Sequence, residues 1–253
     1  MPAGPVGHNG QRGTQDAVRE SGGVDVLQRA PRPTTVRRVV AGGGAALAVL
    51  LALGAGVLAG WAPQVRLDEV VSRALYAGDD RSAALHLLLE VLTAPGAAWF
   101  RVVVSLPVLF WLGTRRAWRT AGWVVTANVL VGPLTTLLKE GFGRVRPAFE
   151  NGGALSDGLS YPSGHSSGIA TLVTIALVLF WPRWTARQRR LALAAGLALA
   201  VLVGLTRMWL GVHFLSDVLG GWAFGAAWAL LVALVFDAFP GGRGALPPRK
   251  GQP

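Results

Sequence analysis

Six stretches of this chain are apolar and almost free of charge: Val39 to Trp61, Ala97 to Gly113, Ala121 to Leu138, Ser166 to Trp181, Leu191 to Thr206, and Leu215 to Phe236. Runs of about 17 residues or more are long enough to span the hydrocarbon core of a bilayer, and these six approach or exceed that length. The second carries Arg101 and Pro107, with Arg101 close enough to its start to snorkel toward the headgroups. Between Ala62 and Pro95 the pattern changes. Leu67, Val70, Val71 and Leu75, then Leu85, Leu87, Leu88, Val91 and Leu92, recur at helical spacing on either side of an AGDD break. This spacing predicts one or two short amphipathic helices lying on the outer surface. The fold class is therefore all-α, a polytopic membrane protein with a six-transmembrane-helix bundle and short amphipathic helices on its outer face.

Composition agrees, because 52% of the 253 residues are hydrophobic and the mean hydropathy is +0.45. Residues 1–38, rich in Gly, Pro and Arg, read as a disordered cytoplasmic arm, and 240–253 as a similar tail, leaving 39–239 as the membrane domain. The first apolar run follows a long polar arm and exceeds the about 7–15 residues of a signal-peptide core, so it reads as an uncleaved signal anchor.

A formal net charge of +11 raises the question of nucleic acid, and the placement of the charges answers it. The arm, the 114–120 and 182–190 connections and the tail hold 16 Lys and Arg, whereas the other three connections hold 7. The positive-inside rule then places both termini in the cytoplasm and the remaining connections outside. No basic patch is interleaved with exposed aromatics, so nucleic acid is not an expected partner. The high Ala, Arg, Gly and Val content points to a GC-rich bacterial genome, hence to a bacterial cytoplasmic membrane. Without cysteine, the chain can have no disulfide, thiolate metal site or cysteine nucleophile.

This topology brings three polar clusters to one membrane face: KEGFGRVRP at 139–147, YPSGHSSG at 161–168 and TRMWLGVHFLSD at 206–217. His213 and Asp217 are four apart, so on a helix they share a face. A carboxylate holding one imidazole nitrogen fixes the tautomer and frees the other to attack or to take a proton. The same pair could equally do no more than satisfy itself at a helix start. Lys139, Arg146 and Arg207 would each serve as membrane anchors when taken singly, but together they suit a phosphate with several anionic oxygens. YPSGHSSG reads either as a turn, with Ser163 or Ser166 capping the next helix, or as a set of N–H donors around Ser163 and Gly164 aimed at that anion. In the second case His165 is the acid that protonates a leaving oxygen.

These three clusters resemble the signature of the phosphatidic acid phosphatase type 2 superfamily, K-x6-RP, PSGH and SR-x5-H-x3-D, in order and in internal spacing. Thr206 stands where the family usually has serine. The resemblance implies a six-helix membrane hydrolase in which His213 attacks phosphorus, Asp217 orients it, and His165 protonates the leaving group and then activates water. Lys139, Arg146, Arg207, Ser163 and the Gly164 amide would hold the phosphate oxygens. It implies no metal and no cofactor, and the outer connections offer no compact carboxylate cluster for one. The expected function is hydrolysis of a lipid phosphate or polyprenyl diphosphate at the outer face, with undecaprenyl diphosphate, phosphatidic acid and phosphatidylglycerol phosphate all fitting. The partners are then the phosphorylated lipid and the membrane. Two alternatives use the same residues, a lipid phosphotransferase and a non-catalytic lipid-phosphate binder or transporter. Vanadium-dependent haloperoxidases share the signature but are soluble, which six spans argue against.

Overall fold

The computed structural model describes residues 33–247, together with Met1 and Gly4, and all regular structure among them is helical. The order is α1 (Pro33–Leu58), α2 (Ala62–Leu75), α3 (Ala83–Thr93), α4 (Ala98–Thr114), α5 (Trp118–Phe142), α6 (Gly164–Phe180), α7 (Ala186–Trp209) and α8 (Leu215–Val235). Five of these, α1 and α5 to α8, are long and apolar enough to cross a membrane. The sixth crossing involves α4, which has 17 residues, runs through Pro107, and meets the preceding α3 segment at a bend of 47°. Large apolar side chains such as Val103, Phe110, Val129, Leu197 and Leu231 point outward, as lipid-facing positions do.

The centre of the bundle is α8, which packs along α6 and α1 and also meets α5 and α2. Its approach to α6 depends on Gly221 and Gly225, one turn apart. A Cβ on Gly221 would lie 2.6 Å from the Ser163 carbonyl oxygen, and one on Gly225 would collide with the Ser167 carbonyl. Small residues at this spacing let two backbones come together where lipid provides no hydrophobic drive. Two tryptophans tie α8 to α5 reciprocally: Trp123 Nε1 donates to the Ala229 carbonyl at 3.0 Å, and Trp228 Nε1 to the Ala127 carbonyl at 3.1 Å. Each indole N–H thus has the partner that hydrocarbon could not supply.

Three expectations change. The helix α1 starts at Pro33, ahead of Val39, because proline suits the first turn, where its missing N–H would be unpaired anyway; most of the arm before it lies outside the described residues. Residues 240–247 of the expected disordered tail are packed. Gly244 donates to the Asp237 carbonyl at 2.8 Å and accepts from Thr120 Oγ1, and Leu246 is buried in the core beside α5 and α8. Arg101 does not snorkel. It is 5% exposed, donates to the Gly96 carbonyl at 2.9 Å, and fills the space left by the missing side chain of Gly168.

The chain between Ala62 and Pro95 forms two helices broken around AGDD, and the polar stripe of α2, not its apolar one, faces the protein. Gln64, Asp68 and Ser72 are buried, while Leu67 and Val70 are exposed. His86 is exposed and accepts from Arg81 Nε at 3.2 Å.

Overpacking the α6–α8 contact costs about 1–3 kcal/mol. Gly225→Ala is therefore expected to lower the thermal unfolding midpoint in detergent by roughly 2–10 °C. Gly132→Ala on α5, where a Cβ meets nothing within 4 Å, serves as the control and should not lower it.

Candidate active site

The site is assembled at the end of the bundle where α5 ends and α6 and α8 begin. Gly143 caps α5 in the left-handed conformation (φ 62°), and its N–H closes on the Lys139 carbonyl at 2.9 Å. The chain then runs without helix, so Arg144 and Arg146 fall on one side while Val145 between them is exposed. The Arg144 carbonyl accepts from Ser160 N–H at 2.7 Å, which lines up the 144–146 segment with the approach to α6.

Ser163 is the N-cap of α6, its hydroxyl accepting from the Ser166 N–H at 3.5 Å. Its own N–H donates to the Asp217 backbone carbonyl at 2.9 Å, which locks the starts of α6 and α8 together. The Ser163 side chain is fully buried, so its hydroxyl serves the helix. Gly164 is partly exposed at the first turn, its missing side chain near nothing but Thr135 at 3.9 Å. His165 follows, covered on one side by Gly96, where a Cβ would come within 2.8 Å of the His165 Cβ. Arg207, Arg101, Arg146 and His213 all lie within electrostatic range of its ring.

His213 is not on a helix. It precedes Phe214, the N-cap of α8, and Asp217 is the third residue of the helix. From there Asp217 Oδ2 reaches back to the Phe214 N–H at 2.8 Å, one half of a capping box. The same oxygen lies 3.4 Å from His213 Nδ1 and accepts from Ser160 Oγ, while Oδ1 accepts from Arg144 Nη1 at 2.8 Å. The carboxylate is fully buried and both of its oxygens are paired, the condition under which a buried anion is tolerated. With Nδ1 on the acid side, His213 Nε2 faces the other way and lies 3.5 Å from Arg146 Nη1.

The cations are held less tightly. Arg146 donates to the Val212 carbonyl at 3.0 Å and the Gly158 carbonyl at 3.2 Å, and Lys139 Nζ to the Leu159 and Ser160 carbonyls. Arg207 touches Thr93 Oγ1 at 3.5 Å, and its buried Nε has no partner. Thr206 turns its hydroxyl back to the Val203 carbonyl at 2.7 Å, away from these groups. Such arginines, bound to neutral carbonyls or to little, keep their charge available to an anion.

All eight residues singled out in the sequence gather at this end. His213 lies between Asp217 and Arg146, with one ring nitrogen toward each; Lys139, His165 and Arg207 lie around this group; Ser163 and Gly164 contribute the start of α6. The sequence reading passed over Asp68, Arg144, Ser160 and Ser216. Asp68 pairs with Arg144 at 2.7 Å and accepts from the Ser216 N–H at 2.8 Å. Arg144 sits inside the K-x6-RP stretch, and its position two residues before Arg146 is the one signal the sequence offered.

Residues 118–240 match the family model described as the PAP2 superfamily. The chain is 32% identical over 195 residues to a lipid A 1-phosphatase of Rhizobium etli, covering 68% of this chain and 80% of that one. It is 33% identical over 172 residues to phosphatidylglycerophosphatase B of Bacillus subtilis, covering 65% and 81%. The fold matches the crystal structure of a transmembrane PAP2-type phosphatidylglycerolphosphate phosphatase from Bacillus subtilis with a TM-score of 0.59 and 28% identity, over 76% of this chain and 94% of that one. The chain belongs to the PAP2 superfamily, the phosphatidic acid phosphatase type 2 family whose three motifs it carries.

Burial pushes the His213 imidazole well below its ordinary value of 6.5, against the pull of Asp217. It is neutral in the folded protein and free to protonate once unfolded. Stability is therefore untouched above about pH 6.5 and withdrawn as the pH falls from there toward the folded-state value. The unfolding midpoint of the wild type should fall below about pH 6.5 more steeply than that of His213→Gln. Parallel curves for the two proteins would contradict this.

Proposed function

We propose that this membrane lipid phosphatase works through a phosphohistidine on His213 and acts on a lipid phosphate or polyprenyl diphosphate at the outer membrane face. The observation that carries the reading is the division of the His213 ring. Nδ1 is held by a buried, fully satisfied carboxylate, and Nε2 is turned toward a guanidinium with charge to spare. A neutral imidazole so held is a nucleophile aimed at a phosphate.

The lone pair of Nε2 attacks phosphorus, and the bond from phosphorus to the leaving oxygen breaks. His165 gives its proton to that oxygen. His165 then takes a proton from water, the hydroxyl oxygen attacks phosphorus, the P–N bond breaks, and phosphate leaves with His213 restored. Arg146, Arg207, Lys139 and the Gly164 amide hold the non-bridging oxygens, where charge builds as the transition state forms. Ser163 supports them by fixing the start of α6. No step calls for a metal.

The relatives are named as phosphatases of lipid A and of phosphatidylglycerophosphate, and a site where α5, α6 and α8 reach the end of the bundle supports a substrate whose phosphate lies at headgroup depth. The test is phosphate release by detergent-purified protein with a chelator present, across lipid A, phosphatidylglycerol phosphate, phosphatidic acid and undecaprenyl diphosphate. Release is expected with at least one of them. His213→Ala and Asp217→Asn are each expected to lower kcat by roughly 10³-fold or more while the protein remains folded. Full activity in His213→Ala would end the proposal, and a strict Mg²⁺ requirement would end its metal-free mechanism. Phosphate appearing on an added alcohol in place of free phosphate would identify a phosphotransferase.

Orientation is testable separately. The chain has no cysteine, so Glu150→Cys, in the exposed loop before α6, is a single label site. An impermeant thiol reagent should reach it in intact cells. Labelling confined to lysed cells would put the site on the cytoplasmic face.

A further inference from the structure

The helix that carries Asp217 begins without a cap of its own. Phe214 at the N-cap position has no side-chain acceptor for the first-turn N–H groups, a place that Ser, Thr, Asp or Asn normally fills. Asp217 reaches back to Phe214, leaving the Ser216 N–H to be met from elsewhere. Its acceptor comes from another helix. Asp68 on α2 takes the Ser216 N–H on Oδ1 at 2.8 Å and the Ser216 hydroxyl on Oδ2 at 2.5 Å. A carboxylate at a helix N-terminus also opposes the positive end of the helix dipole.

Asp68 has a second attachment. Its Oδ2 accepts from Arg144 Nη2 at 2.7 Å, while Arg144 Nη1 donates to Asp217 Oδ1 at 2.8 Å and to Ser216 Oγ at 2.6 Å. The guanidinium also lies over the Phe214 ring at 4.2 Å. Arg144 is thus engaged by two carboxylates, one on each side of its fork, with the Asp68 side chain 3% exposed and that of Asp217 fully buried. Two residues on, Arg146 meets only carbonyls and the His213 ring. The two arginines of GRVRP therefore divide the work: Arg146 faces the His213 ring with no acid partner, and Arg144 is engaged by the two acids.

We propose that Asp68 is a positioning residue for phosphoryl transfer: it caps α8 in trans and fixes Arg144, and through Arg144 the Asp217 carboxylate and the His213 ring. The proposal rests on the reading of His213 as the nucleophile. Without Asp68, Arg144 keeps a single acid partner and its freed Nη2 draws Asp217 away from the imidazole. The cations that bind substrate are untouched, so the loss falls on the chemical step and not on binding.

The test compares wild type, Asp68→Ala, Asp68→Asn and Arg144→Lys in detergent, on whichever lipid of the panel the wild type hydrolyses fastest. Asp68→Ala is expected to lower kcat roughly 10–100-fold with KM within about twofold of wild type. Asp68→Asn keeps an acceptor for the Ser216 N–H and should recover at least about fivefold of that loss. Arg144→Lys reaches one acid at most and should lose kcat with KM kept. The proposal is overturned by an Asp68→Ala protein whose kcat stays within about twofold of wild type, or by losses that fall in KM. Should Asp68→Ala fail to fold, Asp68→Asn and Arg144→Lys decide by the same split between kcat and KM. A second readout needs no turnover: the rate at which diethyl pyrocarbonate modifies His213, followed by peptide mass with exposed His86 as the internal standard. Loosening in Asp68→Asn or Asp68→Ala is expected to raise that rate several-fold, and an unchanged rate would overturn the proposal. A wild type that releases no phosphate from any lipid would count against the proposed function, and the His213 modification rate would still decide on Asp68.

Discussion

A carboxylate buried inside a protein must be paired, and much of the site end of this protein is built around meeting that demand for Asp217. Its partners come from far apart in the chain: Arg144 from the end of α5, Ser160 from the approach to α6, the Phe214 N–H from its own helix, and His213 from the turn before it. The cost of leaving such a charge unpaired is several kcal/mol, so the loops that supply these groups are tied down by the same bonds that satisfy the acid. Order at His213 is in this sense a by-product of charge burial. Asp68 extends the arrangement to α2, a helix whose apolar side faces away from the protein and whose polar side carries the pairing.

That convergence is possible because α6 and α8 approach closely. The Ser163 N–H reaches the Asp217 carbonyl only because Gly221 leaves room for the Ser163 carbonyl beside it, and Gly225 does the same one turn deeper. The first turns of two membrane helices are thereby locked in register, one carrying His165 and the other Asp217. Two glycines within an apolar helix thus control the spacing of a site that neither of them lines. The reciprocal tryptophan bonds between α5 and α8 hold the other half of the bundle, so α8 has little freedom to slide against either neighbour.

The spans were legible in the sequence because length and freedom from charge are sufficient to mark a membrane helix, and the motif residues were legible because their spacing is rigid. What escaped notice failed for particular physical reasons. Asp68 lies in a segment read by its apolar stripe, and amphipathicity says which side is apolar without saying which side packs on the protein. Arg101 was assigned to the headgroups because a cation near a span end can usually reach them, but Gly168 opens a space for it inside. The tail looked disordered by composition, yet a single Leu246 and the Gly244 carbonyl suffice to anchor residues that have few other apolar groups. His213 and Asp217 seemed to share a helix face because they are four apart. Their contact instead crosses a helix start, where the third residue of a helix folds back toward its cap.

The balance of charge at this end of the bundle suits a phosphate. Asp68 and Asp217 are consumed by Arg144 and the starts of helices, so neither is left to neutralise Lys139, Arg146 or Arg207 directly. Those three cations meet carbonyls, a hydroxyl or the His213 ring, which leaves an excess of positive charge around the two histidines. A dianionic group fits such an excess better than a carboxylate or a sulfate monoester, since it can accept from several donors at once. His213 is held neutral beside an acid chiefly by its burial, which outweighs the pull of Asp217, with Arg207 and Lys139 adding to it. In the proposed mechanism an imidazole kept unprotonated by its surroundings would need no separate base for the first step, which would leave His165 for the leaving oxygen.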